Sequence, residues 1–93
     1  MADILAYRLQ IIEIAAAHGA HHVRLFGSLA RGEQAASSDI DLLVQMDDDR
    51  SLVDQVAIMQ DIQDLLGTRV DVVPEDALHQ AIRSQVLKEA VEL

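Results

Sequence analysis

Residues 26–41 read Phe-Gly-Ser-Leu-Ala-Arg-Gly-Glu-Gln-Ala-Ala-Ser-Ser-Asp-Ile-Asp. A glycine–serine pair, Gly27 and Ser28, follows one apolar run, and two aspartates, Asp39 and Asp41, begin the next. A third aspartate, Asp71, lies inside a later β-branched run over residues 69–73. Apolar, β-branched runs of this length are typical of strands, so we expect these polar residues to lie at strand ends or on strand faces.

The three aspartates predict a site for divalent metal. Side chains alternate across a strand, so Asp39 and Asp41 point to one face. Asp71 joins them if its strand is the neighbour of theirs. Hard carboxylate oxygens on a rigid sheet suit Mg²⁺, with Mn²⁺ as the second choice. Two structural alternatives remain open: Asp39 as a turn or cap residue, and Asp71 as an edge-strand charge facing water.

The Gly27–Ser28 pair predicts a phosphate-binding turn. Glycine lets the backbone turn tightly and approach a ligand closely. Ser28 then opens a short helix whose free N–H groups favour a phosphate, and Arg31 adds a cation one turn later. Ser28 as a plain helix cap and Arg31 as a solvated residue or a partner of Glu33 are the structural alternatives. Two metal ions and such a cradle supply the alignment and charge neutralisation that phosphoryl-type transfer requires.

The periodicity of the chain predicts an α/β (α+β) domain over residues 1–93, with helices packed on a mixed sheet of about three strands. The strand order stays open. The predicted helices cover 3–18, 51–66 and 78–91, with a brief helix over 28–33, and the predicted strands cover 22–26, 40–46 and 69–73. Serine at 51 and glycine at 67 mark the ends of the clearest helix.

The composition excludes several classes of protein. Hydrophobic residues make up 51% of the chain and aromatic residues 2%, which indicates a packed core and no stacking platform for bases. The net charge of −9 argues against direct nucleic-acid binding. The chain has no cysteine, so thiol chemistry is excluded. We expect no signal peptide and no membrane span, hence a cytoplasmic protein.

The other polar residues are expected to have structural rather than functional roles. The three consecutive aspartates at 47–49 lack the spacing of a calcium loop and predict a solvated turn. The four histidines, His18, His21, His22 and His79, are expected at the surface or at helix caps.

With a Gly-Ser pair, ten intervening residues and then Asp-x-Asp, the chain resembles the nucleotidyltransferases similar to DNA polymerase β. Its short length and the run FGSLARGEQAASSDIDLLV resemble the minimal nucleotidyltransferase (MNT) branch in particular. The motif-bearing part of the resemblance covers residues from about Val23 to Pro74. It implies the polymerase β-like fold and a phosphoryl-transfer site.

The resemblance also implies a role for each matching residue. Gly27 and Ser28 match the phosphate-binding pair, and Asp39 and Asp41 match the metal ligands. Asp71 matches the third carboxylate, which ligates the catalytic metal and helps deprotonate the attacking hydroxyl. That hydroxyl attacks the α-phosphate of a nucleoside triphosphate, and pyrophosphate leaves.

The MNT branch further implies a partner. Proteins of this size act as antitoxins of HEPN-domain ribonuclease toxins, and some transfer AMP from ATP to a toxin tyrosine. We therefore expect a Mg²⁺-dependent protein adenylyltransferase that forms a hetero-oligomer with its toxin. A non-catalytic antitoxin that masks the toxin is the alternative. Transfer to a small molecule such as an aminoglycoside is disfavoured, because no second domain is present to shape its pocket.

Overall fold

The computed structural model describes residues 4–27 and 40–93 of this chain. A 3-10 turn at Ile4–Tyr7 leads into the first helix, and a second at Glu75–Ala77 precedes the last. The helices are α1 (Arg8–Ala17), α2 (Leu52–Leu66) and α3 (Gln80–Glu89). The strands are β1 (Ala20–Phe26), β2 (Ile40–Met46), β3 (Val70–Pro74) and β4 (Val91–Glu92). The brief helix predicted over 28–33 lies outside the described residues.

The described strands form a mixed sheet in the order β3-β2-β1-β4. Strand β2 pairs in parallel with β3 and antiparallel with β1, and β4 pairs antiparallel with β1. The α+β class and the mixed sheet are therefore confirmed. The estimate of about three strands misses β4, whose two residues are too few to show a strand pattern.

Helix α2 begins and ends where its sequence predicts. Ser51 caps it, since its hydroxyl accepts from the N–H of Val53 at 3.2 Å and Asp54 accepts from the N–H of Ser51 at 3.2 Å. These two bonds satisfy N–H groups that lack a partner within the helix. Gly67 ends the helix in the left-handed region at φ 69°, and its N–H donates to the carbonyl of Gln63 at 2.8 Å.

One face of the sheet carries the core. Alternate strand residues are buried there, and Leu42 and Val72 are at most 2% exposed. Helices α1 and α2 cover this face through buried residues that belong to the same cluster, namely Ile11, Ala15, Ile58, Ile62 and Leu66. Because strand side chains alternate, the remaining strand residues point to the opposite face, where Asp41 and Asp71 lie.

The apolar residues of two helices are only partly covered by the sheet. Helical spacing places Leu52 and Val56 on the apolar face of α2, yet they are 70% and 38% exposed. No residue of α3 is buried, and its Ile82 is 50% exposed. Helical spacing identifies apolar positions, but it does not tell which of them the sheet covers.

Within 4–27 and 40–93, no helix is both long and apolar enough to cross a bilayer.

Candidate active site

Asp41 and Asp71 occupy paired positions on neighbouring parallel strands. Asp41 is half-buried near the start of β2, and Asp71 is exposed near the start of β3. Neighbouring strands lie about 4.8 Å apart, so paired residues present their side chains side by side. The sequence placed Asp71 beside Asp41 only if their strands are neighbours, and the register shows that they are. Two adjacent carboxylates repel each other, which makes this place on the sheet suited to a cation.

Gly27 lies directly against Asp41. Its neighbour Phe26, the last residue of β1, is paired with Asp41, and Gly27 follows at φ 76°, in the left-handed region that favours glycine. A Cβ atom at Gly27 would lie 3.3 Å from Cγ of Asp41 and would collide with its Oδ2. Glycine is therefore required here both for the backbone conformation and for the approach of the carboxylate.

A second polar cluster occupies the same face, farther along the strands. Arg24 is paired with Leu43, the residue two positions after Asp41. A bulge at His22, whose φ is 52°, shifts the alternation of β1 so that Arg24 shares the aspartate face while Val23 enters the core. The Arg24 guanidinium donates to Glu75, just beyond β3, at 2.5 Å.

Glu75 collects three donors. Besides Arg24, the Gln45 amide donates to it at 3.0 Å and the Arg83 guanidinium at 3.4 Å. The Gln45 hydrogen bond, followed by that of Arg24, lowers the pKa of the Glu75 carboxyl from its ordinary 4.5 despite partial burial. Sequence reasoning did not select Arg24 or Glu75. The one signal was an arginine between Val23 and Leu25, in the apolar second half of the strand.

Three predicted site residues, Ser28, Arg31 and Asp39, lie outside the described residues. The structure thus brings together Gly27, Asp41 and Asp71. Among residues 4–27 and 40–93, no three His, Asp or Glu side chains converge as a complete metal site. The described part of the chain contains two of the three predicted carboxylates, Asp41 and Asp71, because Asp39 lies outside it.

Comparison with known proteins identifies the family. The nucleotidyltransferase domain family matches residues 10–93. The chain belongs to this family. It is a nucleotidyltransferase, and the glycine and both described aspartates fall within the matched range.

Two archaeal relatives extend the match over most of the chain. One, from Methanocaldococcus jannaschii and provisionally named a protein adenylyltransferase, is 38% identical over 91 residues, which are 98% of each chain. The protein adenylyltransferase MntA of Thermococcus cleftensis is 37% identical over 73 residues, covering 78% of this nucleotidyltransferase and 74% of MntA.

Solved structures agree with the fold. A structure provisionally described as a minimal nucleotidyltransferase superimposes with a TM-score of 0.88 at 44% identity, covering 97% of this chain and 92% of that one. A complex of a tri-AMPylated Shewanella oneidensis HEPN toxin with an MNT antitoxin matches with a TM-score of 0.71. Its identity is 20%, over 95% of this chain and 69% of that one, and this likeness shows the fold alone.

Proposed function

We propose that this nucleotidyltransferase is a protein adenylyltransferase that transfers AMP from ATP to a tyrosine hydroxyl of a HEPN ribonuclease toxin and thereby acts as its antitoxin. The observation that carries the proposal is the placement of Gly27 against Asp41, with Asp71 paired beside Asp41. The names of the archaeal relatives support protein adenylylation. The AMPylated toxin in the Shewanella complex supports a HEPN toxin as the acceptor of AMP.

The proposed reaction replaces the α–β phosphoanhydride bond of ATP with a phosphoester bond to tyrosine. The tyrosine oxygen attacks the α-phosphorus of ATP, and a new O–P bond forms. The bond from that phosphorus to the bridging oxygen breaks, and pyrophosphate leaves with the electron pair. Asp71, the exposed carboxylate beside Asp41, accepts the hydroxyl proton or orients the hydroxyl. Gly27, followed by Ser28, holds the β- and γ-phosphates with backbone N–H groups.

The described carboxylates fit a divalent cation. Asp41 and Asp71 supply hard oxygen donors from adjacent positions of two rigid strands, the ligand chemistry that Mg²⁺ and Mn²⁺ prefer. Asp39, two positions before Asp41 in the sequence, is the third proposed ligand. When bound, such ions would neutralise the triphosphate and the developing charge of the transition state. The protein contributes by holding the carboxylate oxygens of Asp41 and Asp71 in place before the substrate binds.

The test is transfer to the partner itself. This chain is incubated with ATP, Mg²⁺ and a candidate HEPN-domain partner from the same organism, and the intact mass of the partner is measured. A gain of one or more AMP units is expected, with the modified residue identified as tyrosine by fragmentation. The Asp41→Asn variant should add none. Asp49→Asn is the matched control, because Asp49 is 84% exposed in a turn and should leave transfer intact.

Two results would contradict the proposal. Equal AMP transfer by Asp41→Asn and the unaltered chain would remove Asp41 from the chemistry. A stable complex with no transfer, together with protection of cells by Asp41→Asn, would favour the alternative of an antitoxin that masks its toxin.

A further inference from the structure

We infer that the Arg24–Glu75 ion pair is a positioning device for the active site, which aligns β1 and β3 on either side of β2 so that Gly27 and Asp71 flank Asp41. The inference rests on the proposed function, because it takes Asp41 and Asp71 as part of the reacting centre. Arg24 and Glu75 are positioning residues, since they touch each other rather than the reacting atoms.

The register arranges this face of the sheet in rows. The first row contains Phe26, Asp41 and Asp71, and the second contains Arg24, Leu43 and Val73. Successive rows on one face are two residues apart, about 7 Å along a strand. The ion pair therefore begins one row away from the carboxylates. It ends on Glu75, four residues beyond Asp71 and directly after β3.

The ion pair spans two strands that do not touch in the sheet. Strands β1 and β3 lie on opposite sides of β2, so neither forms backbone hydrogen bonds with the other. The 2.5 Å contact from Arg24 to Glu75 crosses over β2. Gln45, on β2, donates to the same carboxylate, so one oxygen of Glu75 joins all three strands that carry the site.

The pair is buried to an unusual degree. The side chains of Arg24 and Glu75 are 9% and 15% exposed. Arg24 Nε is buried and has no hydrogen-bond partner in the described part of the chain. Buried ion pairs contribute little net stability, because desolvation offsets the attraction, and some are retained because they specify one arrangement. A buried pair with an unsatisfied donor is better explained by geometry than by stability.

The site has little tolerance for movement. Gly27 already lies so close to Asp41 that a single methyl group does not fit between them. Any slip of β1 against β2 changes this contact, and any slip of β3 changes the separation of Asp41 from Asp71. Misplacement of reacting groups by about 1 Å costs on the order of 100-fold in rate.

The experiment separates alignment from stability. The double variant Arg24→Met/Glu75→Leu replaces both charges by apolar side chains and leaves no buried charge behind. Four quantities are measured on the full chain: the melting temperature, the Kd for Mn²⁺ alone, and the kcat and the KM for ATP of AMP transfer to the HEPN partner. The control is Arg83→Met, which removes a contact to the same Glu75 from a 41% exposed side chain of α3 rather than from a strand.

We expect the double variant to melt within a few degrees of the unaltered chain, to bind Mn²⁺ about tenfold more weakly and to lose about 100-fold in kcat, with the KM for ATP little changed. Arg83→Met should match the unaltered chain. Unchanged Mn²⁺ affinity and kcat in the double variant would overturn the inference, as would an equal loss in Arg83→Met.

Two further arms keep the test decisive. If the double variant fails to fold, Arg24→Lys keeps the charge and loses the fork-shaped contact. Reduced kcat at unchanged melting temperature then supports the inference, and unchanged kcat overturns it. If the unaltered chain binds Mn²⁺ in an Asp41-dependent manner but transfers no AMP, the proposed function fails, while the Mn²⁺ comparison still decides the role of the ion pair.

Discussion

Replacing Gly27 by alanine tests the contact between the glycine turn and the carboxylate of Asp41. The substitution has two consequences. It places a non-glycine residue at φ 76°, which costs about 1–2 kcal/mol in the left-handed region. It also places a methyl group against Oδ2 of Asp41, so that the carboxylate must move.

Gly67 offers a control for the first consequence. It has nearly the same backbone conformation, φ 69°, at the end of α2, and a Cβ atom there would meet nothing within 4 Å. Both variants should therefore lose about 1–2 kcal/mol of unfolding free energy, roughly 4–16 °C in melting temperature for a chain of this size. Only Gly27→Ala should also lose AMP transfer, by about 100-fold, since only there is a reacting group displaced.

The assay is AMP transfer to the HEPN partner at a temperature where both variants are folded, with circular dichroism melts of each. Equal residual activity in Gly27→Ala and Gly67→Ala would refute the reasoning, because it would mean that the position of Asp41 does not limit the reaction. A large activity loss in Gly67→Ala would refute it as well, because a Cβ atom at Gly67 meets nothing within 4 Å and displaces no side chain of the site.

Three further predictions concern stability. Ser51→Ala removes the hydroxyl half of the capping box and should cost about 1 kcal/mol in urea unfolding, with transfer activity unchanged. Ile58→Ala, at a fully buried position of α2, should cost about 2–5 kcal/mol, whereas Leu52→Ala on the exposed side of the same helix should cost less than about 0.5 kcal/mol. Glu75 is ionised in the folded state, and its pKa lies below its ordinary 4.5, so its stabilisation is complete above that pH and is lost as pH falls through the folded pKa. The stability gap between Glu75→Gln and the unaltered chain should therefore be widest near neutral pH and should narrow below pH 4.5 in equilibrium melts; a gap independent of pH would exclude the carboxylate as its cause.

Much of the fold could be predicted from local signals. Ser51 and Gly67 mark the ends of α2, because cap and stop residues act through neighbouring backbone groups alone. Alternation correctly places Ile40 and Leu42 on the core side and Asp41 on the other. The pairing of Asp41 with Asp71 followed once the strands proved to be neighbours, which the sequence suggested but did not decide.

The missed features depend on contacts between distant parts of the chain. Arg24 and Glu75 are 51 positions apart, and no local pattern connects them. The bulge at His22 decides which face Arg24 occupies, and a one-residue shift in a strand reverses every assignment that follows it. The β4 strand exists because β1 offers it an edge, at Arg24 and Leu25. Its own two residues carry no signal.

The site and the structure around it have different physical requirements. Asp41 and Asp71 are held side by side although like charges repel. Such an arrangement must be held by its surroundings. The apolar core under α1 and α2 holds the sheet from one face, but apolar packing is not directional. Directional bonds on the opposite face, from Arg24 and Gln45 to Glu75, can specify the strand alignment that packing leaves loose. In a small domain the pair of Asp41 and Asp71 thus depends on a second polar cluster one row away, and a variant that keeps the core but loses this cluster should fold well and react poorly.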